Sequence, residues 1–447
     1  MPGTRPSNRI FVFCFVLLFA GLSLALVERH ASGKVLDPGH GSGSYITIAN
    51  HIVKDGTYAR KTGAPTAHRP PAYPFVIAGC IALGGSAWKT YATVVHVGLG
   101  ATSCLLFLLL LRRAGGDDRA LIAGTLMLLG HVLLLFEFFA LHETALYLAL
   151  SLGFLFALPG GRPAGILRSV LAAALATFAY LTRPTAIALL LIGAGCLLRV
   201  VISTRLRRGG PSFVAFVLTF AVLTWPWHLF QIRHFGGVHF FPSSNGGLVS
   251  YQGHNPDFFA YYPYVYAGSY NPWIGRKLVR EGVITSWPPQ GQDEVAADQA
   301  LRRAAVDFIA KDPAGFVLRA AAKLIGFYSP VPVPWGSGDL EGAEGWVQLR
   351  EFGLTSRLRT VIALSLLTLP LLFGAALFVC RCFREIGPRG LWPMLLYVAA
   401  VTGLHMITQV ETRYRMAVDP ILILLSALYW TRLLPETGRA GHTTSAP

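Results

Sequence analysis

Residues 10–27 read IFVFCFVLLFAGLSLALV, an apolar run with no charge and a single hydroxyl at Ser23. Coiled as a helix at about 1.5 Å per residue, it reaches roughly 27 Å, close to the ~30 Å hydrocarbon thickness of a bilayer. Arg5 and Arg9 precede the run, and Glu28, Arg29 and His30 follow it without a small-residue cleavage site. It therefore reads as a retained anchor, not as a signal peptide. Further runs of the same kind lie at 89 to 111, 120 to 136, 143 to 158, 165 to 181, 184 to 201, 212 to 230, 358 to 380, 391 to 409 and 414 to 431. Together they predict an all-α polytopic membrane protein of about ten transmembrane helices.

Composition agrees. Hydrophobic residues make up 53% of the 447 and charged residues only 13%, about half the charged share of an ordinary soluble domain. The net charge of +16 would suit nucleic acid if it were clustered, but its distribution follows the spans. With the N-terminus inside, the cytoplasmic connections carry Arg112, Arg113 and Arg119, then Arg162 and Arg168, then Arg199, Arg205, Arg207 and Arg208, then Arg381, Arg384 and Arg389, and finally Arg432. This is the positive-inside pattern, so much of the charge is topogenic and nucleic acid is a poor explanation for it. Six cysteines lie in or beside apolar runs and none in the long loops, which argues against a disulfide framework.

The same orientation places two long segments outside and divides the chain. An N-terminal transmembrane module, 1–230, carries the first outer loop, 28–72; a large outer region, 231–357, follows; transmembrane helices fill 358–433; and the Gly/Thr/Ser-rich tail 434–447 is expected to be disordered in the cytoplasm. In the first loop Tyr45, Ile48, Ala49, Ile52 and Val53 recur at helical spacing, predicting a helix that lies on the membrane and stops near Asp55-Gly56. The apolar stretch Tyr73 to Leu83 is too short to span and is expected to be a half-membrane or interfacial helix. In the second segment, Ser243 to Pro256 reads as turns, aromatics including Tyr261, Tyr262, Tyr264 and Trp273 suit lipid headgroups, and Val295 to Tyr328 reads as helix broken at Asp312-Pro313.

Sorting polar residues by membrane face brings one group together. Asp37, His40, Arg69, His142, Glu143, Arg183, Arg233, Arg413 and Arg415 are far apart in sequence, yet all fall at outer span ends or in outer loops. Charges at the rim of an apolar bundle line polar cavities, and a cavity rich in arginine suits an anionic headgroup such as a phosphate. Simpler readings stand beside this one. Any one arginine at a span end can snorkel to the interface; Arg413 and Arg415 flank Tyr414 and point apart; Glu143 sits at a helix start, where a carboxylate is favoured anyway; and Asp37-Pro38-Gly39 is also ordinary turn chemistry. The outer histidines have no HExxH-like spacing, so neither a divalent metal nor another cofactor is indicated.

Nearly the whole chain carries a family resemblance, through motifs that follow one another in order. They are an acid in the first outer loop; Tyr45-xxx-Ala49; Asp55-Gly56-Thr57-Tyr58; Arg69-Pro70-Pro71-Ala72-Tyr73-Pro74; His142-Glu143-Thr144; Leu181-Thr182-Arg183-Pro184; Pro226-Trp227 with Arg233; Asn245-Gly246-Gly247; Gly253-His254-Asn255-Pro256; and Arg413-Tyr414-Arg415. This order resembles the GT-C class of polyprenyl-phosphate-sugar-dependent glycosyltransferases, the superfamily of protein O-mannosyltransferases and the bacterial lipid A aminoarabinose transferase. The resemblance implies a GT-C-like bundle with interfacial helices in the first outer loop. It also implies transfer of a sugar from a polyprenyl-phosphate-linked donor to a glycan, lipid or protein acceptor at the periplasmic face of a bacterial inner membrane. By that likeness Asp37 is the general base, Arg69 binds the donor phosphate, and Tyr45, Tyr73, His142, Glu143, Arg183, Arg233, Asn245, Arg413, Tyr414 and Arg415 contribute to substrate binding. Relatives carry the acid three or four residues before the tyrosine, where this chain has Gly41 and Ser42. His40 is therefore the alternative base. A ligase of lipid-linked glycans, a transporter or flippase, and a non-catalytic scaffold are the competing functions. Clean spans and charges gathered at one rim argue against transport.

Overall fold

The computed structural model describes residues 7–31, 43–131, 134–135, 138, 141–158, 165–203, 209–237, 241–262, 275–287, 289, 291–330, 357–382, 384 and 390–433. Within them the chain is helical apart from one hairpin, β1 (Ala59–Lys61) against β2 (Ala64–Pro65). The bundle is built from α1 (Asn8–Ala31), α4 (Trp88–Arg113), α5 (Asp118–Gly130), α6 (Thr144–Ala157), α7 (Ile166–Thr182), α8 (Ile187–Ser203), α9 (Gly210–Phe235), α13 (Arg357–Arg381), α14 (Trp392–Ile407) and α15 (Asp419–Leu433). Between spans lie α2 (Gly43–Asp55), α3 (Ala72–Gly84), α10 (Gly246–Gly253), α11 (Gln292–Lys311) and α12 (Pro313–Phe327). Each expected span thus has its helix.

Lipid is the solvent of this bundle. Among its described side chains, helix α1 buries only Cys14, Leu18 and Leu22, a stripe at i, i+4 and i+8, and leaves Val12, Phe13, Val16 and Phe19 exposed. Helices α9 and α13 likewise expose Val214, Leu218, Val222 and Leu366, Phe373. Apolar faces this extensive are not tolerated in water, and among the described residues five helical stretches are long and apolar enough to cross a membrane. The protein is an all-α, multi-pass membrane protein.

Local chemistry explains most boundaries. Helix α2 ends at Asp55 because Gly56 takes φ 64°, the left-handed conformation that closes helices; of its apolar face Tyr45, Ile48 and Ala49 are buried. Helix α3 runs through a single 3-10 turn, Gly85–Ala87, into α4. The break at Asp312-Pro313 is a new helix start, with the Asp312 carboxylate accepting the Gly315 N–H at 2.8 Å and Pro313 at the first helical position.

Three expectations need correction. The expected span 120 to 136 is interrupted: helix α5 ends at Gly130, residues 134–135 are helical again, and the His131 ring accepts the Leu134 N–H at 3.2 Å between them. The last span begins at Asp419, not 414, because Thr412–Arg415 forms a separate single turn. The Gly-rich stretch after Ser243 holds helix α10 where turns were expected. The glycines there serve close packing: a Cβ on Gly247 would lie 1.9 Å from the Asp298 carbonyl oxygen of α11. That contact outweighs the poor helix propensity of glycine, about 1 kcal/mol per residue.

Arginines gather at one end of the bundle. Arg113 donates to the Phe156 and Leu158 carbonyls at 2.7 and 2.6 Å, and Arg168 to the Ala157 carbonyl at 2.6 Å. These are the orphan carbonyls of the α6 C-terminus, where cations are favoured. Arg381 reaches the Tyr429 hydroxyl at that same end. The connecting segments with α2, α3 and α10 to α12 occupy the opposite end.

Candidate active site

At that opposite end, helix termini deliver charged side chains to one buried point. Arg183 is the residue after α7 and before Pro184, and proline forces it extended, φ −147° and ψ 123°. Its guanidinium thereby leaves the α7 axis and meets Glu143, the residue before α6, with Arg183 Nη2 2.8 Å from Glu143 Oε1. Glu143 Oε2 also accepts from the Tyr45 hydroxyl at 2.8 Å and lies 2.7 Å from His142 Nδ1. Burial raises the Tyr45 phenol above its ordinary pKa, against the pull of Arg69, so it stays a donor to this carboxylate.

His142 passes the contact onward. Its Nε2 is 2.8 Å from Arg413 Nη1, and since a guanidinium can only donate, Nε2 must accept. The ring is therefore the neutral tautomer with its proton on Nδ1, donated to Glu143. Arg413 Nε in turn lies 2.5 Å from Glu411 Oε2, and Glu411 also takes a short bond from Gln409. Aromatic faces wall the cluster: Arg183 stands 5.1 Å over the Tyr147 ring and 5.5 Å over Tyr414, and Tyr414 stacks on His405 at 4.5 Å. Tyr73 packs edge-on against Tyr45 at 5.1 Å and meets His96 Nε2 with its hydroxyl at 2.9 Å.

Charge accounting singles out Arg69. Arg183 is matched by Glu143 and Arg413 by Glu411, whereas Arg69 meets only neutral groups among the described residues: Nε donates to Ser44 Oγ at 3.0 Å and the guanidinium stands 4.8 Å over the Tyr45 ring. Arg183 Nη1, like Arg415 Nη2, is buried with no hydrogen-bond partner among the described residues.

Two residues on from Arg69, at Pro71, the chain borders an apolar groove of about 590 Å³ between α3, α6, α7 and α9, lined by Phe75, Leu146, Phe178, Leu223, Trp227 and Phe230 among others. Tyr58 and Pro71 close it toward the connecting segments, and the Tyr58 hydroxyl donates to the Arg69 carbonyl at 2.9 Å. One wall of this groove is therefore tied to the chain that carries the guanidinium.

The structure does not gather every expected residue. Asp37 and His40 lie outside the described residues, as do Tyr264 and Trp273. Arg233 is exposed in the last turn of α9, where it faces the negative end of the helix dipole. Arg415 points away from Arg413: it is fully buried, paired with Asp419 at 3.0 Å and bonded to the Phe327 and Ser329 carbonyls. Asn245 stands at the N-terminus of α10, away from the charged cluster. Sequence reasoning missed Glu411, His96 and Tyr147. Glu411, two residues before Arg413, and Tyr147, one helical turn after Glu143, were visible as spacings; His96 was hidden inside an apolar run.

No family model matches the chain, and no curated protein does. Solved structures do. The crystal structure of ArnT from Cupriavidus metallidurans bound to undecaprenyl phosphate is similar at 16% identity and a TM-score of 0.40, over 93% of this chain and 78% of that one. Its apo state gives 17% and 0.39, over 88% and 77%. The cryo-EM structure of arabinosyltransferase EmbB from Mycobacterium smegmatis gives 14% and 0.34, over 90% of this chain and 41% of that one.

Proposed function

We propose that this protein is a membrane glycosyltransferase that takes a sugar from a polyprenyl-phosphate-linked donor and moves it to an acceptor at the non-cytoplasmic face. The observation that carries the reading is the juxtaposition at Arg69: a guanidinium without an acidic partner among the described residues, on a chain segment that also borders an apolar groove open between helices. An isoprenoid phosphate has those two parts, an anionic head and a long apolar tail. Arginine suits the head because its planar fork binds phosphate bidentately, and the groove suits the tail.

Chemically, the leaving group is the phosphate, so cations that hold it as charge develops lower the barrier. In this reading Arg69 does this directly, while Arg183 and Arg413, bound to carboxylates, set the field around it. The acceptor needs a base, a role that the first-loop acid Asp37 fills in this reading, with His40 as the alternative. Because the arginine-rich end answers to the positive-inside pattern, it faces the cytoplasm of a bacterial inner membrane, and the site faces the periplasm.

A photoreactive undecaprenyl phosphate tests the donor assignment. Labelling should map to the lining of the groove, and Arg69→Ala should weaken it about tenfold or more, the value of a lost charge-assisted bond. Arg199→Ala, exposed at the opposite end, should leave labelling unchanged. Equal labelling of the two variants would remove Arg69 from the site.

A further inference from the structure

A second cavity, of different character, borders the Arg69 segment at Ala67. It is also lined by Gln231, Ser244, Asp298, Gln299 and Arg303, and it measures about 260 Å³. That is just below the usual range for small-molecule pockets, so it fits one compact polar group. Two hydrogen bonds sew the 241–242 segment to α9 between groove and pocket: Trp227 Nε1 donates to the Pro242 carbonyl and Gln231 Nε2 to the Phe241 carbonyl, both at 3.1 Å. Trp227 faces the apolar groove, and Gln231, one turn later, the polar pocket.

The pocket is held by features that the donor site leaves unused. Buried Glu294 of α11 accepts from Thr66 Oγ1 at 2.7 Å, from the Ala67 N–H at 2.9 Å and from Ser244 Oγ at 3.3 Å. It thus joins the two outer segments at the pocket wall. Asn245-Gly246-Gly247 fixes the opposite side. The Gly247 N–H donates to Asp298 Oδ1 at 2.5 Å, and Asp298 Oδ2 takes Arg302 Nη2 at 2.7 Å. Asp298 and the wall residue Glu294 are thereby spent on internal partners, and Arg303 adds a positive charge to the lining.

We propose that this pocket is the acceptor subsite, and that it receives a hydroxyl-bearing anionic group such as a sugar phosphate or uronate. The assignment rests on the donor reading above. In the transfer, an acceptor hydroxyl oxygen bonds to the anomeric carbon while the bond from that carbon to the donor phosphate oxygen breaks. The electron pair leaves on the polyprenyl phosphate, and the hydroxyl proton passes to the loop base. The segment that carries Arg69 borders both cavities, the pocket at Ala67 and the groove at Pro71.

The protein in lipid nanodiscs can be titrated with glucose 6-phosphate and with glucose, following ligand signals by saturation-transfer NMR. Glucose 6-phosphate should bind saturably at millimolar concentration and glucose much more weakly. Arg303→Ala, at an exposed position, should weaken sugar phosphate binding about tenfold, and Gln299→Trp should abolish it by filling the pocket. Undecaprenyl phosphate labelling should be unchanged in both variants. Absence of sugar phosphate binding, or equal binding to wild type and both variants, overturns the subsite. Equal affinity for glucose overturns its anionic character. Loss of lipid labelling with sugar phosphate binding intact would sink the donor reading alone.

Discussion

Replacing Glu143 by glutamine tests whether the cluster is held together by charge. The carboxylate accepts from Tyr45, His142 and Arg183 at 2.7 to 2.8 Å, and Glu143, His142 and Arg183 are all under a tenth exposed. The amide keeps one acceptor oxygen but turns its NH2 toward a donor, because the His142 proton is fixed on Nδ1 by Arg413. It also leaves the buried Arg183 charge without its acid, a loss that costs about 3–5 kcal/mol when one partner of a buried pair is removed. A retained hydrogen bond returns about 1 kcal/mol, and the Tyr147 and Tyr414 faces continue to stabilise the cation. The net expectation is destabilisation of about 2–4 kcal/mol, read by reversible unfolding in mixed detergent micelles. Adding Arg183→Met to the glutamine variant removes the stranded charge and should recover at least about 1 kcal/mol, a coupling a double-mutant cycle resolves. A glutamine variant within about 0.5 kcal/mol of wild type, or a double variant with no recovery, would refute the reasoning.

Other outcomes follow from the same geometry. Burial, aided by Arg319, pushes the Lys323 amine down to about 7, so between pH 7 and its ordinary 10.5 the unfolded chain binds a proton that the folded chain does not. Stability should rise with pH across that window, and Lys323→Met should flatten the rise in pH-dependent unfolding. Gly253→Ala places a Cβ 2.1 Å from the Thr408 carbonyl oxygen, and thermal unfolding should show a loss of about 1–3 kcal/mol from overpacking. Asp37→Asn should keep folding and undecaprenyl phosphate labelling while lowering transfer of labelled sugar by about 10²-fold or more; near-wild-type transfer would move the role to His40.

The spans were legible because crossing hydrocarbon imposes a length and an apolarity that no partner can override. Their ends were less so. The span begun by α5 is interrupted at His131, whose ring takes the Leu134 N–H, and α10 packs through Gly247 on α11; both are set by contacts, not by pattern. The shared end of Tyr45, Glu143, Arg183 and Arg413 followed from topology alone. Their pairing did not, since His142 and Arg413 are 271 positions apart. Between Arg413 and Arg415 the sequence did hold a clue: Asp419, four residues beyond Arg415, is the helical spacing of an ion pair, and it accounts for Arg415 turning inward.

Distribution of charge, not its amount, gives the site its direction. A cluster in which every arginine had an acid would be a staple, and the Arg415–Asp419 pair, with Asp419 also 2.9 Å from His131, is such a staple. The Tyr45–Glu143–His142–Arg413–Glu411 chain pairs its charges in the same way, so its cations are held in place and costly to redirect. Arg69 is outside that chain yet rests on its first member, over the Tyr45 ring. Moving Arg69 onto a phosphate therefore breaks no buried ion pair among the described residues, and what it gives up is a serine bond and a ring contact. A phosphate gained at that cost favours binding, whereas recruiting Arg183 would strand Glu143. In the proposed donor reading, the residue best able to take the headgroup is thus the one on which the packed cluster depends least.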